Sequence, residues 1–188
     1  MYDTSFHLSE QELPRLATTY SKSDSGDLSP LPARSNSAFL SGGGGLVSTA
    51  PDYIRFLRAL LNGGELDGAR ILNRETVALM AQNHIGDLEA GSSGGTAMPA
   101  LSNSFDVFPG SVDKFGRGFL INSDQVPGGR APGSLTWAGL ANTYFWIDLE
   151  NDLCGVLMTQ ILPFGDADAL ALLSDFETSI YEQVDKAN

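Results

Sequence analysis

Hydrophobic and polar positions alternate most regularly in residues 133–160, GSLTWAGLANTYFWIDLENDLCGVLMTQ. In an extended chain, Thr143, Phe145 and Ile147 share one face, and Tyr144, Trp146 and Asp148 share the other. Glu150-Asn151-Asp152 punctuates the pattern as a turn. The run from Leu153 to Gln160 is mostly apolar and β-prone, which predicts a central strand covered on both sides. Just upstream, Thr136-Trp137-Ala138-Gly139 puts a glycine near a strand start, where a ligand can approach the backbone closely. A core hairpin with one structural glycine accounts for the same pattern.

Before this hairpin the apolar period changes. Tyr53, Ile54, Phe56, Leu57, Leu60 and Leu61 form a broad helical face. Thr49 is placed as its N-cap, Pro51 in its first turn, Asp52 beside its positive end and Asn62-Gly63-Gly64 at its stop. Asp67-Gly68 reads as a turn. A second helix is predicted from an Asn73 cap to about Asn83, with Leu72 and Val77 spaced as a hydrophobic staple. Residues 86–113 are a Gly/Ser/Pro-rich loop, long enough for an insertion or lid. Residues 115–121 read as a short strand and 124–133 as another loop. A last helix over 166–185 carries Ala169, Leu173, Phe176, Ile180 and Val184 on one stripe. Residues 1–41 are polar and rich in breakers, so they read as loops with at most a short helical turn. The order predicts an α+β fold, an antiparallel sheet flanked by helices, with a helical and loop part at 1–114 and three strands plus the last helix at 115–188.

Composition narrows the function. The chain has 188 residues, 42% of them hydrophobic, enough for a core. Its net charge of -12 repels nucleic acid and anionic membrane surfaces. No run approaches the roughly 18 apolar residues of a membrane span, and no basic-then-apolar leader opens the chain. The expectation is therefore a soluble, cytoplasmic protein. The single cysteine, Cys154, lies in an apolar strand and reads as a small buried hydrophobe. Two distant histidines and that cysteine make no ligand cluster, so neither metal nor cofactor is expected.

Three short patterns bear on chemistry. The glycines of Ser41-Gly42-Gly43-Gly44-Gly45 precede a helix, yet no Gly-Lys-Ser/Thr, no G-x-G-x-x-G and no basic residue accompanies them, which argues against a phosphate cradle. Gly91-Ser92-Ser93-Gly94-Gly95 matches G-x-S-x-G, but a nucleophile elbow needs a strand before it, a helix after it and a later histidine. Here His7 and His84 both lie upstream, and Ser93 is a chance match. Ser111-Val112-Asp113-Lys114 matches S-x-x-K, but Pro109-Gly110 and Phe115-Gly116-Arg117-Gly118 frame a loop rather than a helix start.

SGGGGLVSTAPDYIRFLRALLNGG, ILNRETVALM, Phe115-Gly116-Arg117-Gly118-Phe119 and residues 133–160 together resemble the C-terminal half of the penicillin-recognising serine hydrolases. That family includes class C β-lactamases, DD-peptidases and carboxylesterases with a β-lactamase fold. Trp137-Ala138-Gly139 resembles its strand motif, Lys-Thr-Gly in β-lactamases and Trp-Gly-Gly or His-x-Gly in many esterases. Ala138 departs from the glycine common in the esterase version. The resemblance implies that the backbone N–H of Leu140 is one oxyanion donor, and that Trp137, Ala138 and Gly139 line the substrate cleft. Tryptophan offers an apolar wall where lysine would attract a carboxylate, so the expected substrate is a neutral ester before a β-lactam.

The family's S-x-x-K helix and its Y-x-N or Y-x-S motif belong upstream of these blocks and have no counterpart here. Two readings stand. One is the C-terminal portion of a serine hydrolase whose nucleophile comes from an N-terminal half. The other is a non-catalytic truncated module, dimerising to cover an exposed strand edge.

Overall fold

Residues 1–32, 38–106 and 111–187 are described in a computed structural model; Pro109 and Gly110 lie outside them. After a 3₁₀ turn at Leu13–Arg15, the elements are β1 (Tyr20–Lys22), β2 (Leu28–Pro30), α1 (Ala50–Leu61), β3 (Glu65–Leu66) and β4 (Ala69–Arg70). There follow α2 (Arg74–Met80), β5 (Ser92–Ser93), β6 (Phe105–Asp106), β7 (Lys114–Phe115) and β8 (Leu120–Ile121). The chain ends with β9 (Leu135–Gly139), β10 (Thr143–Asp148), β11 (Leu153–Leu157), β12 (Ile161–Leu162) and α3 (Ala167–Ala187).

The main sheet is antiparallel in the order β11-β10-β9-β8-β7. On one face, Phe145 and Ile147 of β10 join Leu135 and Ile121 beneath Leu57 and Leu60 of α1. On the other, Trp146 meets Phe176 of α3 edge to face, with centroids 5.8 Å apart. The α+β class and the helix-flanked antiparallel sheet are as the sequence predicts. Strand β10 is buried from Tyr144 to Asp148, so the segment that alternates in sequence is the one covered on both sides.

The apolar run after it is not central. Strand β11 lies at the edge of the five-stranded sheet, and only its Gly155 is fully buried. An apolar run records that both faces meet apolar neighbours, not that both edges are paired. Residues 115–121 likewise form two strands rather than one. The β7–β8 hairpin turns at Gly116-Arg117-Gly118, where Gly116 N–H donates to Phe119 O at 2.8 Å. A Cβ on Gly116 would lie 2.1 Å from the Met80 carbonyl oxygen, a contact only glycine allows.

That contact also explains why the second helix is shorter than predicted. Helix α2 stops at Met80, whose carbonyl accepts the Arg117 N–H at 3.0 Å instead of a further helical turn. Asn73 has extended cap geometry but makes no side-chain cap bond. Thr49 does cap α1, accepting the Asp52 N–H at 3.4 Å. The first 41 residues hold more than loops: β1 pairs antiparallel with β2 and parallel with β12. Pairing there is set by distant backbone, which a polar local pattern does not reveal.

Candidate active site

The candidate site is built on the far end of β9. Strand β8 pairs with it only through Ile121–Leu135 and Leu120–Thr136, after which Phe119 and Gly118 (φ +95°) turn away. Trp137, Ala138 and Gly139 continue with β10 alone alongside, opposite Phe145, Tyr144 and Thr143. One edge of this three-residue stretch is therefore open. Trp137 is 45% exposed and stands edge-on to Phe115, with centroids 5.1 Å apart. Leu140, just past the strand, is 53% exposed. The four residues border a cavity of about 170 Å³ that Leu120 and Tyr144 also line.

The turn that presents Leu140 is held from behind. Asn142 N–H closes it on Gly139 O at 3.0 Å, with Asn142 left-handed at φ +59°. Its side chain is fully buried. The amide donates to Ile161 O and Pro163 O, both at 2.8 Å. Its oxygen accepts Tyr144 Oη–H at 2.7 Å and Gly165 N–H at 2.9 Å. Asn142 thus fixes the backbone on which any Leu140 donor depends. Asparagine in a hairpin turn, tolerant of the left-handed region, is the sequence signal for it.

Two further buried groups underlie the strand without a local sequence signal. Arg130, from a stretch that reads as loop, is paired through Nε to Glu177 Oε1 at 2.7 Å and through Nη2 to Oε2. Its guanidinium lies 5.0 Å from the Trp146 ring centroid. Asp148 accepts from Tyr181 Oη at 2.6 Å and from Ala131 N–H at 3.0 Å. Burial, with help from the Asp166 carboxylate, pushes the Tyr144 phenol up to about 12, so it serves as a wall and not as a base near neutral pH.

The rejected motifs are not assembled for catalysis. Ser93, in the two-residue β5, donates to Gly95 O at 3.2 Å, and no helix follows it. Ser111 donates to Asp113 Oδ1 at 2.8 Å, while Lys114 Nζ is turned to Leu88 O at 3.0 Å. Cys154 is half-buried, and that burial raises its thiol. Among the described residues there is no group of three or more metal-ligating side chains, and no helix long and apolar enough to cross a membrane.

A family model described as Beta-lactamase matches residues 1–178. Protein Rv1367c of Mycobacterium tuberculosis is 32% identical over 189 residues, covering 93% of this chain and 43% of that protein. The lovastatin esterase of Penicillium rubens is 34% identical over 146 residues, 76% of this chain and 35% of the esterase. Among solved structures, the unliganded selenomethionyl simvastatin synthase (LovD) of Aspergillus terreus superposes with a TM-score of 0.80 at 27% identity. That match covers 96% of this chain and 46% of the other. The chain spans less than half the length of these relatives. It belongs to the Beta-lactamase family.

Proposed function

We propose that this chain is the C-terminal portion of a serine hydrolase that acts on carboxylic esters through an acyl-enzyme. The observation that carries the reading is the open edge of β9 beyond Thr136, bordering an apolar cavity. Acyl transfer from a serine needs N–H donors aimed where the oxyanion develops. The Leu140 N–H, held by the Asn142 turn, is one donor, and the nucleophile's own N–H is the other. Trp137, Ala138 and Gly139 form the wall along which substrate lies. Gly139 keeps that wall low, because a Cβ there would meet nothing nearer than Thr143 Cβ at 3.7 Å.

The serine and lysine of S-x-x-K and the tyrosine of Y-x-N or Y-x-S come from the part of the hydrolase outside this chain. Neutral esters are favoured because the wall carries an indole where a substrate carboxylate would need a cation. The name of the lovastatin esterase agrees with ester chemistry.

Intact mass spectrometry before and after a fluorophosphonate probe tests this. The expected result is label on a co-purifying or longer polypeptide that carries the nucleophile, and none on the 188-residue chain. Label on Ser93 or Ser111 overturns the assignment of roles.

A further inference from the structure

The cavity beside the candidate strand belongs mainly to its other face. Thr136 pairs with Trp146, whose ring meets Phe176 of α3, and two residues on, Ala138 pairs with Tyr144. Thr136, Ala138 and Tyr144 therefore look toward α3, and Leu173 of α3 closes the cavity from that side. Phe105 and Phe164, edge to face at 4.8 Å between centroids, form a further wall. The space runs from the turn at Leu140 back beneath the strand.

Most polar groups of this wall are engaged within the protein. Thr136 Oγ1 donates to Phe145 O, Tyr144 Oη donates to Asn142 Oδ1, and the Arg130 guanidinium is paired with the Glu177 carboxylate. The lining is otherwise mostly aliphatic and aromatic, with Leu120, Ala138, Leu140, Phe105, Phe164 and Leu173 around it. A lining so largely apolar favours apolar occupants. At about 170 Å³ it is close to the ~150 Å³ of an engineered apolar cavity that holds benzene, so it takes about six carbon atoms.

We propose that this cavity is the acyl-chain pocket of the ester substrate, selecting acyl groups of about four to six carbons. The proposal rests on the ester-hydrolase reading, and its occupant follows from continuity: Gly139 and Leu140 border both the cavity and the candidate oxyanion position. With the carbonyl at the Leu140 N–H, the acyl chain is the part of the ester that passes round Gly139 into the space beneath Ala138. A free carboxylate is disfavoured there, because the one cation in the wall is engaged by Glu177.

The test uses the 188-residue chain and needs no nucleophile. Methyl acetate, methyl butanoate and methyl hexanoate are titrated while amide resonances are followed by NMR. The expected result is affinity rising about fourfold per added carbon, from the transfer free energy of a methylene, with shifts centred on Leu120, Ala138, Tyr144 and Leu173. Ala138→Leu and, from the opposite wall, Leu173→Trp each weaken methyl hexanoate at least tenfold and leave the dispersed spectrum of a folded chain. Affinity that ignores chain length, or shifts elsewhere, overturns the proposal. So does a folded variant at either wall that binds methyl hexanoate unchanged. A failed serine-labelling experiment leaves these readouts intact, so the two conclusions fall separately.

Discussion

Two glycines on neighbouring parts of the sheet hold their places for opposite reasons. A Cβ on Gly155 would lie 2.2 Å from Cη2 of Trp146, which is fully buried and cannot withdraw. A Cβ on Gly139 would make only ordinary contacts with Thr143. Gly155→Ala is expected to lower stability by about 1–3 kcal/mol through overpacking, read as a fall in the urea midpoint. Gly139→Ala is expected to stay within about 0.5 kcal/mol of wild type, as a substitution into open space. In a hydrolase complete with its nucleophile it is nevertheless expected to slow fluorophosphonate labelling at least tenfold, because the added methyl occupies the substrate's path. Unchanged labelling with Gly139→Ala would remove the strand from the site.

The helix starts separate in the same way. Thr49 accepts the Asp52 N–H, whereas Asn73 holds cap geometry without a side-chain bond. Thr49→Ala is expected to cost about 1 kcal/mol and Asn73→Ala much less, compared by thermal melting. Sequence made the helices legible because their caps and apolar stripes are local, and it located β10 and β11 because strand periods and turn residues are local too, whereas β9 was reached only through the resemblance of Trp137-Ala138-Gly139 to a strand motif. It placed β11 at the centre, whereas among the described residues β11 edges the sheet, and the pairing of an edge depends on a neighbour that the run does not encode. Strand β1 escaped notice for that reason, its parallel partner being Ile161–Leu162 far along the chain, and β2, among the described residues, pairs only with β1 across a short polar turn. At the candidate site, Trp137 to Leu140 were named through resemblance. Arg130 and Glu177 were not, because a buried ion pair between a loop and a helix face leaves no periodic trace.

At the scale of the whole molecule, buried charges tie the layers together. Asp148 joins the β10 end to Tyr181 of α3 and to Ala131; Asp166 joins the α3 start to Lys22 of β1. Burial alone would raise both carboxyls. At Asp148 hydrogen bonds from Asn151, Tyr181 and Ala131 outweigh it, and at Asp166 those from Lys22 and Ala169 do, so both fall below the usual 3.8. A carboxylate lowered on folding stabilises fully above its unfolded value and loses that contribution as pH falls through its folded one. The urea midpoint is therefore expected to hold from pH 7 to 5 and to drop below about pH 4. The gap between wild type and Asp148→Asn should be widest at pH 5 and close toward pH 3 in the same titration. Asp113, raised chiefly by burial, opposes this trend, because its protonation favours the folded state.

The pairing of β1 with β12 also sets an order in time. Thr19 and Gln160, joined at 3.0 Å beside that pair, stand 141 positions apart in the chain, whereas β9, β10 and β11 meet through short turns. Closing so long a loop carries a large entropic cost before any contact offsets it. In refolding, the three-strand meander is expected to form first and the small parallel pair last, the order being read by pulse-labelled hydrogen exchange. On warming, that same seam is expected to open before the sheet under α1, seen as earlier loss of amide protection at Tyr20–Lys22 than at Thr143–Asp148.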